Sequence, residues 1–336
     1  MKVCVLYVIH AVVWLIRGVH SVSSEECASS DVLPPIQTFP TPQHPFVFIH
    51  IDKTGGSSIR HLVYESAVEL ELGRLIPPKD GLPNIVYRIP QEGEEFYDRV
   101  SNLSVVAGHF AWGVWTELPY WIGENQTHPP PCFIMGRHPV ERVISYYYQR
   151  CFREKGGPYY MKPLNSLSQI ELEQFVESHR RGTILTDHSG ILLHDEGVED
   201  AACRFASGRR VTTGVVVAPG ETLELPPRVD SATASIAMRN SEQCVVGILE
   251  EWESTKRVLK HWFPWMNMSH DKHIHRGVQN KETLHTLNVE LREVIETHNT
   301  CDMQLYKHMR NRFDSQLAHL EKYQVPPTQL ISEAPT

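Results

Sequence analysis

The sequence predicts an α/β fold: a central, mainly parallel sheet covered by helices. Short apolar runs of strand type recur at 46–51, 103–107, 132–135 and 243–249. Stretches with apolar residues at helical spacing lie between and after them, so the strands need crossover connections and both sheet faces are covered. Glycine or proline marks the junctions after 46–51 and 132–135. Sheets of this kind bind ligands at the carboxyl ends of their strands.

The first junction is the most informative. The run Phe46-Val47-Phe48-Ile49-His50-Ile51 breaks into Lys53-Thr54-Gly55-Gly56-Ser57-Ser58, after which Ile59, Leu62, Val63 and Leu70 recur at helical spacing. Glycines let backbone amides approach a ligand, the unpaired N–H groups of a helix start point outward, and Lys53 adds a full charge. Many such turns hold nothing, but this one suits a phosphate or phosphosulfate. Its lysine precedes its glycines and no G-x-x-x-x-G-K-[ST] pattern is present, which disfavours a nucleoside triphosphatase.

Pro77, Pro78, Gly81 and Pro83 mark loops. The strand 103–107 ends at Gly108-His109-Phe110-Ala111-Trp112, and the aromatic segment 115–121, broken by Pro119, reads as a packed loop or short helix. The strand 132–135 leads into Gly136-Arg137-His138-Pro139. Pro139 fits a first helical turn. Val140, Val143, Ile144 and Tyr147 then form a buried stripe, while Arg142, Ser145 and Gln149 share another face. Residues 168–207 carry helical patterning, and 211–230 read as a surface excursion. The strand 243–249 precedes a helix with Trp252, Val258, Leu259 and Trp262; 272–277 is a basic loop; two amphipathic helices divided near Asn299 fill 282–323.

With 336 residues, 41% hydrophobic and 21% charged, the chain is a folded protein of one large or two ordinary domains. A net charge of −8 gives no bulk attraction for nucleic acid. Residues 3–16 form an apolar run behind Lys2, short for a membrane span, so 1–21 read either as a cleaved signal peptide or as an uncleaved signal anchor. A Ser- and Pro-rich stem over 22–45, a folded domain over 46–323 and a tail over 324–336 complete the expected organisation. Beyond Cys4 lie Cys27, Cys132, Cys151, Cys203, Cys244 and Cys301, with no C-x-x-C pair. An oxidising lumen favours disulfides among them, and spacing leaves the pairing open. Sequons at Asn102, Asn125 and Asn267 agree with entry into the secretory pathway. His273 and His275 are too few to suggest a metal site.

Lys53, His109 and Arg137 with Ser145 all fall at strand ends, where a parallel sheet brings them to one crevice. A doubly phosphorylated nucleotide needs two anion sites, one at the Lys53 turn and one at Arg137, whose guanidinium grips phosphate in a bidentate fork. At this point the chain resembles the Golgi carbohydrate sulfotransferases. Lys53-Thr54-Gly55-Gly56-Ser57-Ser58 is similar to their 5′-phosphosulfate loop, and residues 137–148 are similar to their 3′-phosphate motif, R-(D)-P-x-x-R-x-x-S-x-Y-Y. The heparan sulfate 2-O- and 6-O-sulfotransferases and the uronyl 2-O-sulfotransferase are the most similar group. His109-Phe110-Ala111-Trp112 resembles the 6-O enzymes, 141–148 the 2-O enzymes, and 299–316 the C-terminal helix of the group. His138 departs from the motif's usual Asp, which leaves the support of Arg137 open.

The resemblance implies a P-loop-NTPase-like three-layer fold. It implies transfer of a sulfuryl group from 3′-phosphoadenosine-5′-phosphosulfate (PAPS) to a hydroxyl of a sulfated polysaccharide of the heparan or chondroitin/dermatan type, without a metal. His109 is then the general base, and Lys53 stabilises the leaving phosphate. Thr54, Gly55, Gly56, Ser57, Ser58, Arg137 and Ser145 complete the PAPS site. The Golgi lumen or secretion follows, with membrane contact at most through an N-terminal anchor. A secreted glycan-binding protein that keeps the fold without catalysis is the competing reading. The hydroxyl modified, 2-O or 6-O, stays open.

Overall fold

The computed structural model describes residues 33–76, 102–109, 112–113, 129–179, 184–186, 192–194, 197–208, 229–272 and 281–324. In chain order they form β1 (Phe46–Ile49), α1 (Gly56–Glu69), β2 (Arg74–Leu75), β3 (Val105–Gly108), β4 (Cys132–Gly136), α2 (Pro139–Tyr146), α3 (Gln169–Ser178), β5 (Ile184–Thr186) and β6 (Leu192–His194). Then come α4 (Ala201–Ser207), α5 (Ser231–Ser241), β7 (Val245–Ile248), α6 (Trp252–Trp262), α7 (Val289–Thr297) and α8 (Thr300–Gln324). A five-stranded sheet runs β2-β3-β1-β4-β7, with every neighbouring pair parallel. This is the α/β architecture expected, a parallel sheet between helical layers.

The strands are continuous apolar runs because both faces are covered: Phe46, Val47, Phe48 and Ile49 are at most 1% exposed. Helix α1 packs on β3, and α6 and α8 pack on β7. A second apolar cluster holds the inner face of α2, with Val140, Val143, Ile144 and Tyr147 at 0% exposure, against Phe175 of α3 and Leu291 of α7. That stripe is the one expected from spacing, and Tyr146 and Tyr148 join it in the core.

The chain lays β2 and β3 on one side of β1 and β4 and β7 on the other, so strand order reverses at β1. Register puts Ile49 beside Gly108 on one flank and beside Ile134 on the other. The segments that follow β1, β3 and β4 therefore leave the sheet along one edge, at the topological switch point. Two disulfides brace the fold: Cys132–Cys244 joins the starts of β4 and β7, away from that edge, and Cys203–Cys301 ties α4 to α8. Cys151 is buried and lies outside both disulfides.

Some features depart from expectation. The stretch 168–207 is not helical throughout, because β5 and β6 pair as an antiparallel hairpin between α3 and α4. The residue types of Asp187-His188-Ser189-Gly190 favour turns over helix, which weakens the helical reading of this stretch. Strand β2 is only two residues long, too short to leave a pattern. After α2 a π-helical turn, Tyr147–Cys151, redirects the chain. The described part of the stem touches the domain, since the Trp262 indole N–H donates to the Pro34 carbonyl at 2.9 Å and the Gln37 N–H to the Trp262 carbonyl at 2.9 Å. Among the described residues no helix is long and apolar enough to cross a membrane. The leader, Cys27, the segment 115–121, Asn125, the excursion from 211 to 228, the basic loop from 273 and the tail beyond 324 lie outside the described residues.

Candidate functional site

The turn after β1 is built from unusual backbone. Lys53 has φ +67° and Gly55 φ +81°, both in the left-handed region. A lysine there is strained, and such strain concentrates at functional turns. The Thr54 hydroxyl donates to the Ile51 carbonyl at 2.9 Å. It closes the turn, so its hydrogen is not turned toward a ligand as expected. Gly55 caps α1 without a side-chain hydrogen bond, and the first turn of α1 carries no acidic residue among the described residues. The Ser58 N–H bonds back to the Gly55 carbonyl at 3.1 Å, and Ser57 and Ser58 are half-buried at the helix start. A helix N-terminus left in this state favours an anion.

Arg137 reaches this turn directly. Its Nη1 donates to the Lys53 carbonyl at 3.0 Å, while its Nη2 pairs with Glu141 at 3.2 Å. The Lys53 ammonium donates to the Gln149 side-chain carbonyl. The two expected anion-binding residues are thus bridged by the backbone that separates β1 from α1. Glu141, one turn along α2, supplies the carboxylate that supports Arg137. Glu250, after β7, accepts from the His138 backbone N–H at 2.9 Å and caps α2. His138 itself packs edge-on against Tyr306 at 5.3 Å. Burial pulls the Arg137 guanidinium below its ordinary pKa, and Glu141 and Glu250 oppose that pull. Ser145 is half-buried two turns beyond Arg137, and no hydrogen bond among the described residues joins it to Lys53 or Arg137.

The second arginine of the motif has a different role. Arg142 is 1% exposed. It donates to the Gly197 and Val198 carbonyls at 3.2 and 2.7 Å, donates to Asn299 at 3.3 Å, and pairs with Asp302 at 3.5 Å. It anchors α2 to α8 and does not line the site.

His109 follows β3. Its Nδ1 lies 3.1 Å from the His50 carbonyl, and its ring stacks on the His50 ring at 3.9 Å. A carbonyl only accepts, so Nδ1 carries the hydrogen of this bond and Nε2 of the neutral ring keeps its lone pair. That is the tautomer a general base requires.

One cation at this edge was not anticipated. Lys281 has its pKa lowered first by burial and then by the charges of Arg137 and, more weakly, Lys53. Lys281 therefore feels the positive charge of both Arg137 and Lys53, with Glu141 as partial compensation. The loop carrying Lys281 is pinned beside α2: the Leu284 N–H donates to Glu141 at 2.7 Å, and the Tyr148 hydroxyl and the Asn165 N–H donate to Glu282. A lone lysine in a loop gives no motif, so only the fold reveals it. Replacing Lys281 with Met is expected to weaken binding of adenosine 3′,5′-bisphosphate about tenfold, the loss of one charge-assisted contact worth about 1.5–3 kcal/mol partly screened by solvent. Calorimetric titration at constant salt checks it.

Among the described residues no group of three or more His, Cys, Asp or Glu side chains is placed to hold a metal ion. The arrangement gathers cations and a helix start at one edge, with the His109 imidazole at the end of the adjacent strand. Neither the models of known protein families nor the curated proteins provide a match to this chain.

Proposed function

We propose that the chain is a PAPS-dependent O-sulfotransferase that transfers a sulfuryl group to a hydroxyl of a heparan- or chondroitin/dermatan-type glycosaminoglycan. The observation that carries this reading is the hydrogen bond from Arg137 to the Lys53 carbonyl, which unites two anion-binding elements at one switch point. PAPS presents anionic groups at both ends of one nucleoside, and a split site with cations at each part suits it. The resemblance of residues 53–58 and 137–148 to the two PAPS motifs of the Golgi sulfotransferases supports the same assignment.

In this reading the Lys53 turn and the start of α1 receive the 5′-phosphosulfate, and Arg137 with Lys281 receives the 3′-phosphate. An alcohol is a poor nucleophile at neutral pH. The acceptor hydroxyl gives its proton to His109 Nε2 as its oxygen bonds to sulfur, and the bond from sulfur to the bridging phosphate oxygen breaks in line. Charge grows on that leaving oxygen, where Lys53 and the helix-start amides stabilise it. The site is a luminal one in this reading, reached by way of the segment 1–21, and the two disulfides suit an oxidising compartment.

The test is transfer of labelled sulfate from PAPS to a panel of heparan, chondroitin and dermatan acceptors, followed by disaccharide mapping of the hydroxyl modified. Incorporation on at least one acceptor is the expected outcome. Nucleotide binding with no incorporation across the panel points instead to a glycan-binding protein that keeps the fold.

A further inference from the structure

We infer that His50 is a positioning residue for His109 and that it links the placement of that ring to the phosphosulfate turn. The inference rests on the reading of His109 as the base. His50 is the first residue past β1 and is 3% exposed, so its ring is held by its neighbours. One face of that ring stacks on His109 at 3.9 Å and 23°, and the ring lies nearly parallel to Phe48 at 5.5 Å and 12°. The main chain of the same residue accepts from His109 Nδ1 at 3.1 Å. His50 therefore restrains His109 twice, its carbonyl selecting the tautomer and its ring setting the plane.

The third contact joins the turn to this pair. A Cβ placed on Gly56 would stand 1.9 Å from Cδ2 of His50, so the first residue of α1 is glycine because the imidazole occupies that space. The start of α1 and the proposed base thus both rest on the same imidazole, so one ring sets their separation. Misplacing a reacting group by about 1 Å costs on the order of 10²-fold in rate.

The experiment compares His50→Ala with His50→Phe in the full chain. His50→Ala is expected to lower kcat about 10- to 100-fold while the KM for PAPS and the affinity for adenosine 3′,5′-bisphosphate stay unchanged. His50→Phe, which keeps a flat ring in the stack, is expected to hold kcat within about threefold of wild type. Should His50→Ala fail to fold, Gly56→Ala serves in its place: its methyl must push the ring aside, and kcat should fall more than the folded fraction does. Wild-type kcat in folded His50→Ala, or His50→Phe as slow as His50→Ala, overturns the inference. The reading of His109 is tested separately by His109→Ala. If that variant turns over normally the base assignment fails, while the ring-current shift of the His109 protons, lost in His50→Ala, still reports whether the stack holds the ring.

Discussion

His109→Ala is expected to lose about 10²- to 10⁴-fold in turnover with PAPS and a glycan acceptor, and to bind adenosine 3′,5′-bisphosphate as the wild type does. The size follows from what the imidazole supplies. With Nδ1–H committed to the His50 carbonyl, Nε2 is the basic atom of the ring, while the His50 ring is buried beneath it and His138 packs against Tyr306. Lys53, Arg137 and Lys281 are cations, and Glu141 is held by Arg137 and the Leu284 N–H. Arg137→Ala should behave in the opposite sense. It removes a guanidinium that ties down the Lys53 turn and that, in the proposed function, meets the 3′-phosphate, so nucleotide affinity is expected to fall by about 10- to 100-fold. The pair of variants separates chemistry from binding: kcat reads the first and calorimetry the second. A His109→Ala enzyme that keeps wild-type turnover would remove His109 as the base, and an Arg137→Ala protein with intact affinity would remove the two-site grip.

The parts of this site that lie next to a strand end were legible in the sequence. An apolar run stopping at Gly-Gly or at Arg-His-Pro is a local pattern, and locality is what periodicity and motif reading detect. Lys53, His109 and Arg137 are all of that kind, and in a parallel sheet their positions along the chain already imply a shared edge. What escaped was set by contacts between distant segments. Lys281 acquires meaning only because Glu141 and Tyr148 hold its loop beside α2. The support of Arg137 comes from Glu141, and the His138 N–H is held by Glu250 from the segment after β7. The pairing of Cys132 with Cys244 follows from β4 lying against β7, which spacing alone does not encode. Strand β2 and the β5–β6 hairpin are two and three residues per strand, shorter than the window over which alternation becomes a pattern. The hydroxyl of Thr54 illustrates the reverse limit, since its residue type suits a ligand and its geometry spends it on the turn.

Arg142→Met is expected to destabilise the fold by about 3–5 kcal/mol, the cost of leaving a buried carboxylate without its cation. Arg142 and Asp302 are both 1% exposed, and Asp302 also accepts from the backbone N–H groups of Ala202 and Cys203 at 3.2 and 2.8 Å. Asp200 completes the knot, accepting from the Asp302 N–H at 3.0 Å while its own N–H donates to Asn299 at 3.1 Å. Burial, then the neighbouring charge of Asp302, pushes the Asp200 carboxyl up to about 7 from an ordinary 3.8. The sign of the pH dependence follows. Between those two values the folded protein holds a proton that the unfolded chain has released, so stability falls as pH rises through the window and levels off above about 7. The slope from this group reaches at most about 1.4 kcal/mol per pH unit. Chemical denaturation at pH 5, 6, 7 and 8 reads it directly. Asp200→Asn, which keeps the acceptor oxygen and tolerates the left-handed backbone at this position, should flatten the slope and raise stability at pH 8. A wild-type stability that climbs steadily from pH 5 to pH 8, unchanged in Asp200→Asn, would show that the carboxyl is ionised in the fold. Because the knot bolts α2 to α8, and α2 begins two residues after Arg137, its loss should weaken nucleotide binding only in proportion to the fraction unfolded. That proportionality is what distinguishes Arg142 from the first arginine of the same motif.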